Sequence, residues 1–278
     1  MLQFSQLEMP NSEVQHYFKN LKKFTTSVRV GMVAMRRKTE RLDVEIRQLK
    51  PSELLGRPLN EVEKKYAPKV LYVAGSMKIP LPAPRVAVIG ARNPSDEGID
   101  AAAEITKELV KHEIVVVSGL ARGIDTVAHK TAIENGGKTI AVLGTPLNRF
   151  YPPENERLQK LIMKEHLAVS QYPIGYITKP KHFVFRNRTM ALLSDASIII
   201  EAGETSGVIS QGWETLRLGR PLFLWRLLVK RNLKWVEEMI KYGAIVLRDI
   251  DDLCYVIEEV SPPLEGTIQI EEIEIEGA

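Results

Sequence analysis

From Arg85 onward, short apolar runs alternate with stretches of helical spacing. "VAVIG", "IVVVSG", "TIAVLG", "LAVSQY", "SIIIEA", "PLFLW" and "AIVL" are rich in β-branched residues. Runs apolar on both faces belong in the middle of a parallel sheet covered by helices. Between them, "AAAEITKELVKH" places Ile105 and Leu109 on one side and most of its charges elsewhere, the pattern of an amphipathic helix. The alternation predicts an α/β fold, doubly wound about a mostly parallel sheet, over residues 70–248. Residues 1–69 read differently: "EVQHYFKNLKKF", "GMVAMRRKTERLDVEIRQLK" and "PSELLGRPLNEVEKKYAPK" predict a small helical N-terminal region, with the Pro-rich "IPLPAPR" as connector. Residues 249–278 form an acidic C-terminal segment ending in the Ile/Glu alternation "IQIEEIEIEGA".

Composition changes this picture little. A chain of 278 residues, 44% hydrophobic and 26% charged, is ordinary globular material. A net charge of +3 is too small to argue for a nucleic-acid partner by itself. Its distribution is uneven, since Lys and Arg crowd the first third and none follows Arg248. A single cysteine, Cys254, excludes an internal disulfide and a Cys-based metal cluster, and no metal or cofactor is expected. With no apolar run long enough to span a bilayer and no signal-peptide core at the N-terminus, a cytoplasmic protein without a membrane partner is expected.

The candidate chemistry sits where predicted strands feed helices. In open parallel sheets, ligands bind beyond the carboxyl ends of the strands. Three such junctions carry glycine: "VIGARNPSDEG" with Gly90 and Gly98, "SGLARGIDTVAHK" with Gly119 and Gly123, and "EAGETSG" with Gly203 and Gly207. Glycine lets backbone N–H groups approach a ligand, and the following helix N-terminus adds unpaired donors. Arg92 and Arg122 add forked donors suited to phosphate. One such loop would merely turn the chain; three predict a phosphate cradle. A fourth stretch, "KPKHFVFRNRTMALLSDA", interleaves Lys179, Lys181, Arg186 and Arg188 with His182, Phe183 and Phe185 just ahead of a predicted helix. Cations for phosphates with aromatic faces for bases compose a single-strand binding surface.

These stretches, together with "YPPEN" and "SGVISQGWETLRLGRPLF", resemble the DNA-processing protein A family (DprA, also called Smf) over roughly residues 71–225. The resemblance implies an extended Rossmann-like fold, non-catalytic binding of single-stranded DNA, a homodimer, and loading of the RecA recombinase during natural transformation and DNA recombination. It also implies a phosphate pocket lined by Arg92, Ser118, Gly119, Arg122, the Arg186-Asn187-Arg188 segment and Ser206-Gly207. Asp125 and His129 match the motif; one helical turn apart, they allow either an Asp–His hydrogen bond that supports the loop or a contact to DNA. Ala91, Glu204 and Val208 stand where the family often has a hydroxyl or small residue.

A rival from another class is a nucleoside-monophosphate phosphoribohydrolase of the lysine-decarboxylase-like kind, to which "RNRTM" also bears likeness. N-glycosidic cleavage needs a carboxylate. Alignment puts Gln211 at the motif glutamate, with Glu204 and Glu214 nearby. A nucleotide-sensing module using the same cradle is a third reading. Finally, Trp213 and Trp225 with their neighbouring leucines exceed what one amphipathic helix and one buried strand need, which predicts a two-fold contact there.

Overall fold

The computed structural model describes residues 44–260. Nine strands among them form one sheet in the order β1-β2-β6-β5-β4-β3-β7-β8-β9. The seven apolar runs are its parallel part: β3 (Arg85–Ile89), β4 (Val115–Ser118), β5 (Thr139–Leu143), β6 (Leu167–Ser170), β7 (Ala196–Ile199), β8 (Leu222–Trp225) and β9 (Ile245–Leu247). Their continuous hydrophobicity follows from burial on both faces. On one face Ala87, Val117, Val142 and Ile199 meet Met190, Trp213 and Met239. On the other, Val86, Val116 and Ile198 meet Ile105, Ile124 and Val256.

Two strands outside that pattern extend the sheet. β2 (Leu71–Gly75) pairs antiparallel with β6, and β1 (Arg47–Leu49) antiparallel with β2. The helical N-terminal region expected to residue 69 is thus corrected for residues 44–69, which hold β1 and two short helices, α1 (Pro51–Leu55) and α2 (Glu61–Lys64). Residues 1–43 of that region lie outside the described residues. A charged hub binds this stretch to the domain. Glu63, buried in α2, receives Arg57 Nη2 at 2.6 Å and Arg220 Nη2 at 2.8 Å. Burial alone would raise the Glu63 carboxyl, but the hydrogen bonds from Arg57 and the Asn60 N–H, with the Arg57 and Arg220 charges, hold it at about 2.

The long helices are α3 (Asp96–Lys111), α4 (Ile124–Glu134), α5 (Glu156–Glu165), α6 (Lys181–Leu193) and α7 (Val208–Arg217); α8 (Arg226–Val229), α9 (Lys234–Lys241) and α10 (Leu253–Val260) complete the layers. The acidic segment expected from residue 249 holds α10, whose Leu253 and Val256 are buried in the core; residues 261–278 lie outside the described residues. Trp213 and Trp225 are also core residues, 9% and 3% exposed, with Trp213 edge-on to Tyr242 at 5.3 Å. The apolar surplus that pointed to a two-fold contact is consumed inside one chain.

Candidate nucleic-acid interface

The chain reverses direction across the sheet between β3 and β7. β4, β5 and β6 succeed β3 on one side, while β7 returns to its other side. That reversal opens a crevice at the carboxyl ends of the strands, where α/β folds bind ligands. The loops after β3, β4 and β7 are the three glycine junctions.

One carboxylate binds the first two loops together. Asp125, buried in the first turn of α4, accepts the Gly119 N–H at 3.2 Å and the Ala121 N–H at 3.3 Å, and also the Gly90 N–H from the loop after β3. Burial pushes its carboxyl up, against the opposing pull of Arg186 and of these N–H groups. The Ile124 N–H donates to Ala91 O at 3.1 Å. Close approach of the loops requires Gly123: its φ is +83°, and a Cβ there would lie 2.3 Å from Ala91 O. The result puts two exposed arginines side by side. Arg122 Nε donates to Arg92 O at 3.3 Å, and Arg122 Nη2 donates to Asn93 Oδ1.

The residues expected beside them are not all ligand groups. Ser118 is buried, and its hydroxyl donates to Val88 O at 2.7 Å, joining β4 to β3. Arg186 is 6% exposed, with Nη1 donating to Gly119 O and to Val142 O at 2.9 Å. It is a strut beneath the cradle, and a Cβ at Gly119 would lie 1.7 Å from its Nη1. Asn187 reaches the third junction, donating to Gly207 O at 2.9 Å and Ser210 Oγ at 2.7 Å. The N-terminus of α7 is thereby held in place, and a Cβ built at Gly203 or Gly207 would meet nothing within 4 Å. Ser206 Oγ accepts the Val208 N–H at 3.4 Å.

Arg188 departs from the shared pocket. The stretch expected to precede a helix is itself α6, so Arg186 and Arg188 diverge around the helix axis. Arg188 Nε donates to Glu214 Oε1 at 2.9 Å, and its guanidinium lies 4.5 Å from the Tyr66 ring. Lys181 is exposed at the start of α6. Phe183 packs on Tyr151 at 5.3 Å and against Gly144, at the carboxyl end of β5. The Asp125–His129 hydrogen bond does not form. His129 Nδ1 pairs with Thr139 Oγ1 at 2.7 Å, and burial holds its pKa at about 3.

Sequence reasoning missed Glu201. It ends the "SIIIEA" run, 2% exposed, and accepts both the N–H and the hydroxyl of Ser95 at 2.9 Å. Arg231 Nη2 donates to its other oxygen. Ser95 caps α3, so Glu201 fixes the loop that carries Arg92. Its signal was legible as a carboxylate inside an otherwise apolar run.

The family model for DNA recombination-mediator protein A matches residues 54–258, spanning the whole crevice and the sheet beneath it. The chain belongs to this family. Among its relatives, the DNA processing protein DprA of Streptococcus pneumoniae is 43% identical over 157 residues, 56% of this chain and 55% of the relative. DprA of Bacillus subtilis is 35% identical over 158 residues, covering 56% and 52%. The chain thus spans about half the length of these curated relatives. The X-ray structure of the pneumococcal family member superposes with a TM-score of 0.65 at 29% identity, over 90% of this chain and 83% of that one. A Helicobacter pylori DNA processing protein A, described for its unique single-stranded DNA binding mode, superposes with a TM-score of 0.67 at 26% identity, over 79% and 99%. Among the described residues, no helix is long and apolar enough to cross a membrane.

Proposed function

We propose that this chain binds single-stranded DNA without catalysis, holding backbone phosphate at the crevice. The observation that carries the reading is the juxtaposition of exposed Arg92 and Arg122 on two loops locked together by Asp125. The open N-terminus of α7 and Lys181 lie along the same carboxyl edge and add donors and charge. Preorganised forked donors are the group of choice for phosphate, because little side-chain freedom remains to be lost on binding. The single-strand preference is supported by Phe183 and by the Helicobacter relative. Membership of a recombination-mediator family supports delivery of the strand to the RecA recombinase, and the family resemblance supports a homodimer and a cytoplasmic setting.

The phosphoribohydrolase reading is disfavoured at the motif position itself, which holds an amide; of the two carboxylates near it, Glu204 is exposed and Glu214 is buried. Glu214 is clamped by Arg188 and Arg217, and Glu201 by Ser95 and Arg231. Gln211, at the motif position, is fully buried and carries no charge. The test is a fluorescence-anisotropy titration with single-stranded DNA, duplex DNA and a mononucleotide over a salt series. Affinity for the single strand is expected to exceed the others and to fall by about 0.7 logarithmic units per phosphate contact for each tenfold rise in salt. Salt-independent binding, or release of free base from the mononucleotide, would sink the reading.

A further inference from the structure

α6 carries two kinds of residue on two sides. Arg186 and Asn187 turn inward to the strand ends and to α7. Lys181, Phe185 and Arg188, at i, i+4 and i+7, form one outward stripe. This stripe borders an open groove of about 450 Å³ that also takes in Tyr66, Lys69 and Gln171.

Antiparallel pairing decides where the groove lies. Tyr72 of β2 stands opposite Ser170 of β6. Residues just ahead of β2 therefore emerge at the carboxyl end of β6, on the edge that carries the cradle. β4 and β6 are two strand spacings apart, about 10 Å, so one extended strand of nucleic acid can reach both places.

The groove's aromatic groups pack on arginines that are themselves fixed by a buried carboxylate. The Arg188 guanidinium lies between the Tyr66 ring at 4.5 Å and the Phe185 ring at 5.6 Å. Its Nε is fixed by Glu214, itself 1% exposed, and Arg217 holds the other Glu214 oxygen while lying 4.8 Å from Tyr66. Tyr66 and Phe185 are nonetheless 41% and 37% exposed, with Lys69 exposed beside them. The Tyr66 ring is already faced by Arg188 and Arg217, so the exposed Phe185 ring is the one that offers a π face for a base, with Lys69 of the same groove supplying charge for the adjoining phosphate.

We propose that this groove is a second subsite, stacking a nucleobase of the same single strand whose phosphate occupies the Arg92–Arg122 cradle. The inference rests on the single-strand reading above. Its test uses the full chain with fluorescein-labelled oligothymidylates, one of about three nucleotides and one of about twelve, within the range of single-strand site sizes. Phe185→Ala and, separately, Lys69→Glu are expected to weaken the longer oligomer roughly tenfold while leaving the shorter one unchanged. Arg92→Ala should weaken both. Lys69→Glu changes an exposed side chain, so it keeps the test sound if Phe185→Ala unfolds the protein. Unchanged affinity for the longer oligomer, or an equal loss on both lengths, overturns the subsite. Failure of the unmodified chain to bind either oligomer overturns the single-strand reading itself.

Discussion

At the scale of single residues, four arginines of one chemical type do three different jobs. Arg92 and Arg122 are exposed at the cradle, Arg186 is a buried strut, and Arg188 is clamped by Glu214. Arg92→Ala and Arg122→Ala are expected to leave urea-unfolding free energy within about 0.5 kcal/mol of the parent. Each should also lower the salt slope of single-strand binding. Arg186→Ala is expected to cost about 3 kcal/mol, because it strips the Gly119 and Val142 carbonyls of a donor and Asp125 of its counter-charge. Gly119→Ala should destabilise by about 2 kcal/mol for the reciprocal reason, as its methyl would displace that guanidinium. The placing of the glycines and of Arg92 and Arg122 just past the strand ends was legible in the sequence, since the apolar runs mark where each strand stops. Burial of Arg186 and Ser118 was not, because residue type alone does not say which side of an element faces inward.

Among the elements, all seven parallel strands could be read directly, because burial on both faces leaves a continuous apolar run. β2 is apolar too, but it sits among prolines and helical-looking segments, and its antiparallel direction comes from its partner β6 and not from its own residues. α6 was misplaced because its cations and aromatics obscure helical periodicity, and with it went the expectation that Arg186 and Arg188 share a pocket. The Glu201 latch belongs to this scale, since it couples β7, the start of α3 and the turn before α9. Glu201→Gln is expected to cost about 1–2 kcal/mol in urea unfolding and to weaken single-strand binding severalfold through the displaced Arg92 loop. Binding that stays at the parent level would show that Glu201 serves stability alone.

For the whole molecule, acid acts in two stages. Burial lowers the pKa of His129 to about 3, and lowers those of His166 and His182 as well. Unfolded histidines take up protons near 6.5 while the native ones resist, so stability is full above that pH and declines below it. Each fully protected group contributes a slope of up to about 1.4 kcal/mol per pH unit. Glu63 acts lower: with a native pKa of about 2 against an ordinary 4.5, its contribution is present above 4.5 and lost as pH falls towards 2. Melting temperature is therefore expected to fall from about pH 6.5 and more steeply below 4.5, and Glu63→Gln should reduce the second stage, to which Glu108, lowered by its hydrogen bond from Lys111, also contributes, and leave the first unchanged. The outer strands of the sheet bear on how copies of the chain can meet. Among the described residues the sheet ends at β1 and β9, of three residues each, and Pro51 follows β1 by two positions. Edges this short present too few free N–H and C=O groups to template another strand. Neighbouring molecules are thus steered away from fusing their ladders into one continuous ribbon, and any self-association is expected to proceed through side-chain surfaces. Amide hydrogen exchange in β1 and β9 should accordingly stay the same from dilute to concentrated protein.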